Sequence, residues 1–238
     1  MKQVYFSAKG SLAILLILGL HGIAYGQWGV SVKSDDRATV KEIAAKYGVN
    51  TNDLAAVNGL LPNSIVTRGR ALRLPFEPCS VQSAPAIRGI NLGADMNEIE
   101  KRFLKTRYPF VDGTEDLSVS NLGGEKIPGL DGIASLRLVS FEGNLYQVFV
   151  SYDFDVSWES IDEMVLQFND SLGVPLTAWK VQSRREGDEA TVECDGFTIK
   201  TRLVVGRGML ILTDVKTEHA IERRKKEAAD AKKRAIKP

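Results

Sequence analysis

Residues 133–152 and 197–213 place the strongest constraint on the fold of this chain, because apolar residues recur there at every second position. That spacing is the period of a β-strand. The turn Glu142-Gly143-Asn144 separates two such runs and predicts a β-hairpin. In the second stretch Phe197, Ile199, Leu203 and Val205 share one face, opposite Thr198, Lys200 and Arg202. The pattern predicts an antiparallel sheet with one face toward water.

Helical spacing appears in two segments that each precede a predicted strand region. One apolar face consists of Trp158, Ile161, Val165, Phe168 and Leu172, and Gly173 follows it as a stop signal. A shorter face begins at Asp95 and consists of Met96, Ile99, Phe103 and Leu104. Residues 106–131 are rich in Gly, Asp and Ser and predict irregular structure. We therefore expect an α+β domain over residues 87–215 with helices on one face of the sheet. The order of a helix followed by a hairpin occurs twice, which suggests a duplicated unit.

The first 26 residues have the layout of a secretory signal peptide. Leu12 to Leu20 is an unbroken apolar run that follows Lys2 and Lys9, and small residues stand at Ala24 and Gly26. The run is shorter than the roughly 20 residues that span a membrane, so cleavage is favoured over an uncleaved anchor. We expect a bacterial protein, exported to the periplasm or the cell exterior, that begins near Gln27 and has no stable membrane span.

The charge is divided unevenly along the 238 residues. The whole chain carries a formal net charge of +1, and removal of residues 1–26 changes it to −1. Residues 28–76 carry +3, residues 77–215 carry −9 and residues 216–238 carry +5. An acidic body argues against nucleic-acid binding, which needs cations opposite the phosphates. The basic tail has no internal Gly or Pro and predicts a charged helix. This helix either projects into solvent or contacts an anionic wall, a lipid surface or the acidic body.

Residues 28–76 show a strand, two short helices and a closing strand. Thr39 precedes the first helix with Glu42 three residues later, as in a capping box, and Gly48 supplies its stop. The second helix follows Thr51 and ends at Asn58-Gly59, before a closing strand at Leu72-Arg73-Leu74-Pro75. This βααβ succession resembles the LysM domain, with matches at 30–34, 39–49, 54–60, 65–69 and 72–75.

The resemblance implies a module that binds N-acetylglucosamine polymers, either peptidoglycan or chitin. The expected groove lies between the loop at 34–39 and the loop at 61–65, and export from a bacterium favours peptidoglycan. The glycan-binding residues implied are Asp36, Thr39, Asn63 and Ile65. The first loop departs from the family, because it reads Ser34-Asp35-Asp36-Arg37-Ala38-Thr39 without the usual Gly and with two extra residues. A LysM module that no longer binds sugar and acts as a protein-interaction spacer therefore stays open.

Histidine is too scarce for the common hydrolytic sites. His21 lies in the signal segment and His219 in the tail, whereas His-rich zinc sites and Ser-His-Asp or Cys-His arrangements need histidine in the body. The Ser-His-Gly-Cys signature of transpeptidases that often accompany LysM modules is absent from the sequence. We expect no enzyme activity, catalytic residue, metal site or cofactor; the alternative is a peptidoglycan-remodelling enzyme with an unrecognised carboxylate site.

Cys79 and Cys194 are the only cysteines, an even count in a chain expected to be exported. They either form a disulfide or remain two buried thiols. Residues 77–86 are rich in Pro, Ser and Ala and are interpreted as a linker. The sequence thus predicts a LysM module that binds the cell wall and a second domain that is an adaptor or ligand-binding unit, with another envelope protein as its candidate partner.

Overall fold

A computed structural model describes residues 28–110, 112–120, 128–184 and 187–235, so the expected signal peptide lies outside the described residues. The N-terminal elements are β1 Trp28–Gly29, β2 Ser31–Lys33, β3 Ala38–Thr39, α1 Val40–Tyr47, α2 Thr51–Val57, β4 Ile65–Val66 and β5 Ala71–Arg73. They are followed by α3 Met96–Phe103, β6 Tyr108–Pro109, β7 Thr114–Ser120, β8 Ile133–Phe141 and β9 Asn144–Tyr152. The last elements are α4 Ile161–Leu172, a 3-10 turn Leu176–Ala178, β10 Lys180–Arg184, β11 Gly187–Glu193, β12 Phe197–Val204, β13 Arg207–Asp214 and α5 Val215–Ala235.

Nine strands form one antiparallel sheet in the order β1-β10-β11-β12-β13-β9-β8-β7-β6. The predicted hairpin is confirmed as β8 and β9. The repeated order of a helix followed by strands is also present, because α3 and α4 each precede four consecutive antiparallel strands. The last strands of the two sets, β9 and β13, pair antiparallel at the middle of the sheet, with Phe149 opposite Ile211.

The inward face of the sheet is continuous across both sets of strands. One cross-strand row consists of Leu117, Leu138, Val148, Leu212, Ile199 and Val192. All six side chains are buried, and they share a core with α3 and α4 through residues such as Met96, Ile99 and Val165. The predicted helix is confirmed at Ile161–Leu172, where the Ser160 side chain accepts a hydrogen bond from Glu163 N and Gly173 adopts the left-handed conformation.

Three details of the body differ from the sequence-based expectation. Val205 does not lie on the inward face, because it occupies the β12–β13 turn at φ 50° and is 96% exposed. Thr201, between Ile199 and Leu203, is the fourth inward residue of β12. Leu104 does not extend the buried face of α3 but ends the helix at φ 51°, and it is 88% exposed. The expectation of irregular structure over 106–131 is wrong for β6 and β7, which complete the sheet.

The missed strand β7 is anchored by a polar contact that local composition does not reveal. The Arg107 guanidinium donates to Glu115 Oε2 at 2.8 Å and to Asn97 Oδ1 at 2.9 Å, and it also pairs with Glu100. Arg107 therefore links α3 to β7 through side chains on two different elements.

Residues 32–74 enclose a second, smaller core. Both contacts of the predicted capping box are present at Thr39 and Glu42, and Gly48 ends α1 in the left-handed conformation. The buried side chains are Val32, Val40, Ile43, Ala44, Val49, Leu54, Ala55, Val66, Leu72 and Leu74. The predicted first strand is split, because β2 pairs with β5 here whereas β1 pairs with β10 in the large sheet.

Cys79 and Cys194 form a disulfide across 115 positions of sequence, with their Cα atoms 5.0 Å apart. The segment from 77 to 86 has no helix or strand. It nevertheless lies against the body, since Cys79, Val81 and Ala84 pack on the large core and Glu77 N donates to Thr177 O at 2.9 Å. The disulfide therefore holds the exit of the small unit against the β11–β12 turn.

The C-terminal charged helix is present as α5, and residues 236–238 lie outside the described chain. Ile221 is buried, Arg224 pairs with Glu142 at 2.7 Å and Lys225 pairs with Asp112 at 2.9 Å. Hydrogen bonds from the Thr114 hydroxyl and from Lys225 lower the pKa of Asp112 to about 2. Residues 222–234 are exposed apart from half-buried Asp230, so the distal half of α5 extends into solvent as predicted.

Candidate functional site

The two loops implied by the resemblance lie side by side in the small unit. β3 pairs with β4, so that Thr39 is the Cα partner of Ile65 and Ala38 is the partner of Val66. Val40 N donates to Ser64 O at 3.0 Å, which extends the contact by one residue. Of the four predicted residues, the structure therefore brings Thr39 and Ile65 directly together.

The hydroxyl of Thr39 is engaged in the cap of α1. Its Oγ1 accepts from Glu42 N at 3.2 Å and donates to Glu42 Oε2 at 2.9 Å, while Thr39 N donates to the same oxygen at 2.7 Å. These bonds lower the pKa of the Glu42 carboxyl. Thr39 thus positions the start of α1, and both its hydroxyl proton and its backbone N–H are engaged by Glu42.

Ile65 belongs to an exposed apolar segment between α2 and β4. It is 53% exposed, and Leu61 in the same loop is 73% exposed. Val57 at the end of α2 is also exposed. Leu61 was missed as a site residue; its only sequence signal is an apolar doublet, Leu60-Leu61, within a loop. Exposed aliphatic groups suit a ligand that carries methyl groups or other apolar surface.

Asn63 and Asp36 are both exposed, but Asp36 lines a different depression. This hollow of about 220 Å³ lies between residues 33–38 and α1, and its other wall includes Glu42, Ile43, Lys46 and Tyr47. Thr39 and Ile65 do not line it. An ion pair between Lys46 and Asp35 lowers the pKa of Asp35 and joins the loop to the helix. The predicted residues therefore divide between two neighbouring surfaces of the unit.

The small unit is fixed to the body through a half-buried carboxylate. Asp162 Oδ1, in the first turn of α4, accepts a hydrogen bond from Ser31 N at 2.9 Å. Leu166 and Leu176 of the body pack on the smaller core. Burial raises the pKa of Asp162 and nearby Asp188 adds to the rise, whereas the Ser31 N–H lowers it. The contact therefore keeps the charged Asp162 carboxylate in a partly buried position, which costs free energy of folding.

We expect Asp162→Asn to be at least as stable as the wild type at neutral pH, because an amide oxygen still accepts from Ser31 N and no charge is buried. Since the folded-state pKa of Asp162 is raised, wild-type stability falls as pH rises from the unfolded value of about 3.9, and the advantage of the variant disappears in more acidic solution. Asp162→Ala leaves the Ser31 N–H unpaired and should cost about 1–3 kcal/mol. Urea unfolding of both variants between pH 3 and 7 measures these differences; an Asn variant as unstable as the Ala variant contradicts the explanation.

A larger depression lies on the body at the β12–β13 turn. It has a volume of about 800 Å³ and is lined mainly by residues of β8, β9 and β13, with Phe154, Val205 and Arg207 at its side. The Arg207 guanidinium lies 3.8 Å from the centroid of the exposed Phe154 ring. Sequence reasoning missed this feature, because its walls come from three separate segments and Val205 had been assigned to the inward face of the sheet.

The described residues hold no group of three or more His, Cys, Asp or Glu side chains arranged to bind a metal ion. Within the same ranges, no helix has both the length and the apolar character needed to cross a membrane. The chain matches no protein-family model, no curated protein and no solved structure.

Proposed function

We propose that residues 28–76 are a LysM module that binds N-acetylglucosamine-containing glycan, and that the ligand is the peptidoglycan of a bacterial cell wall. In this proposal the protein is exported to the periplasm or the cell exterior, remains associated with the wall and has no catalytic activity. The body, residues 87–215, acts as an adaptor or ligand-binding unit for another envelope component.

The main support for the proposal is that the loops at 34–39 and 61–65 lie side by side. The β3–β4 pairing brings the backbone of residues 38–40 beside residues 64–66, and Ile65 stays exposed although its neighbour Val66 is fully buried. An N-acetyl group offers an amide donor, a carbonyl acceptor and a methyl group. Exposed peptide groups with one aliphatic residue can satisfy all three without a charge or a metal.

A second function, a spacer that does not bind sugar, is favoured by the contacts between the small unit and the body. The unit shares β1 with the large sheet, donates to Asp162 and is held by the disulfide at its exit. Thr39, one of the four implied residues, is also engaged in the helix cap. Such contacts are expected of a unit whose role is to support the body.

The test is retention of the full mature chain on purified peptidoglycan sacculi. We expect the wild type to be retained and Ile65→Ser to weaken retention about fivefold to tenfold, because half-burial of an Ile side chain contributes about 1 kcal/mol. Asn63→Ala should weaken it too. Val205→Ser is the matched control, since it also removes an exposed β-branched aliphatic group but lies on the body.

Loss of retention in Ile65→Ser alongside normal retention in Val205→Ser supports glycan binding by this surface. A wild-type protein that passes through the sacculi unbound contradicts it and favours the spacer. Because Ile65 is exposed, the substitution should leave the unfolding midpoint unchanged.

A further inference from the structure

A polar cleft lies where the small unit meets the body. It has a volume of about 510 Å³ and opens between the C-terminal end of α1 and the C-terminal half of α4. The small unit contributes Lys46, Tyr47 and Gly48, and the remaining lining residues are Glu77, Leu166, Asn169, Asp170, Pro175, Leu176 and Thr177. This volume is within the range of small-molecule binding sites, which often form at domain interfaces.

The cleft is adjacent to the hollow that contains Asp36. Lys46 and Tyr47 line both depressions, so the two share one wall along α1. One depression extends from these residues toward the loop at 33–38 and the other toward Asn169. Two neighbouring depressions along one helix suit a linear chain of repeated units better than one compact molecule.

The cleft is rich in hydrogen-bond acceptors. The side-chain oxygen Asn169 Oδ1 is buried and has no hydrogen-bond partner among the described residues. The Glu77 carboxylate uses one oxygen to accept from Thr177 Oγ1 at 3.3 Å, and Asp170 is exposed beside it. The cation of the cleft, Lys46, is paired with Asp35. A buried acceptor without a donor is costly, so a ligand that supplies hydroxyl or amide donors gains from this site.

The same groups disfavour an anionic ligand. Two carboxylates line the cleft, and the carbonyl ends of α1 and α4 add partial negative charge. Leu166 and Leu176 supply apolar contacts, and the half-buried Tyr47 supplies an aromatic ring with a hydroxyl group. An uncharged ligand with many donors and some apolar C–H surface matches this combination.

We infer that the cleft is a second saccharide subsite, in which an N-acetylglucosamine-containing glycan strand passes along α1 and ends against Asn169. This inference rests on the proposed function and adds that body residues contribute to glycan affinity. It predicts that the protein prefers long chains, because only these reach the cleft from the surface of the small unit.

The experiment compares the affinity of the full mature chain for a trimer and an octamer of N-acetylglucosamine, measured by calorimetry. Asn169→Leu removes the unpaired acceptor, and Asp170→Trp fills the mouth of the cleft. Each should lower the octamer-to-trimer affinity ratio about tenfold while trimer affinity is unchanged. Asn91→Leu, an exposed position of the body, is the matched control and should keep the wild-type ratio.

A purely structural role for Asn169 predicts a different result. Because its buried oxygen has no partner, Asn169→Leu should hold or raise the unfolding midpoint, so reduced octamer binding could not come from a weakened fold. The inference is overturned if the octamer-to-trimer affinity ratio is the same in the wild type, both cleft variants and the control. Binding of the trimer by the wild type would then still support the proposed function. If neither oligomer binds the wild type, both proposals fall.

Discussion

Replacement of Cys79 and Cys194 by serine should lower the free energy of unfolding by about 4 to 5 kcal/mol. The disulfide joins residues 115 positions apart, and a closed loop of this length removes about that much chain entropy from the unfolded state. The free energy of unfolding of a typical domain is only about 5–15 kcal/mol, so the variant should retain a small net stability. Unfolding in guanidinium chloride, followed by tryptophan fluorescence, measures the loss.

The wild type treated with a reductant is the internal control for this experiment. It should unfold at the midpoint of the double serine variant, and the reductant should leave the variant unchanged. A wild type that unfolds at the same midpoint with and without reductant would show that the cross-link contributes nothing to stability.

Replacement of Trp158 by alanine should cost about 3–5 kcal/mol, the range for removal of a large buried aromatic side chain. Trp158 is 5% exposed, and its ring centroid lies 5.2 Å from that of Tyr152 and 5.7 Å from that of Phe168. Its Nε1 donates to Gln167 Oε1 at 2.8 Å. The ring also covers Gly208, where a Cβ atom would overlap it, so β13 has no side chain at this position to fill the cavity.

Phe154→Ala is the matched control, because it removes a nearby aromatic ring that is largely exposed. We expect it to change the free energy of unfolding by no more than about 0.5 kcal/mol in urea unfolding measurements. A Trp158→Ala protein that unfolds at the wild-type midpoint would contradict the packing described around Gly208.

Segments with long, regular periodicity were predictable from the sequence. α4 combines five apolar positions at helical spacing with a Ser160 cap and a Gly173 stop, and all these signals agree with its tertiary role. The β8–β9 hairpin joins two alternating strands through Glu142-Gly143, both at positive φ. Local preference and packing favour the same structure in these elements.

The errors occur where tertiary contacts decide the structure. Val205 continues the apolar alternation of β12, but a turn begins there and places it at positive φ, a conformation that β-branched residues rarely adopt. β7 lies in a stretch rich in turn-forming residues and is held by its pairing with β8 and by Arg107. In the candidate site the sequence indicated the paired loops but not the cleft, because the cleft needs Tyr47 and Asn169 to meet across more than a hundred residues.

The pairing of β1 with β10 has a consequence for the order in which the protein folds. Trp28 pairs with Val181, so the first described strand has no partner in the sheet until β10 has been translated. The buried residues of the small core all lie within 32–74, so most of it can form early, before Leu166 and Leu176 of the body pack on it. Completion of the large sheet must wait for its C-terminal third, and contacts between such distant segments form slowly. Until then Trp28 lacks its strand partner and Cys79 lacks its disulfide partner, so the order of synthesis makes the N-terminal strand and the cross-link among the last contacts to form.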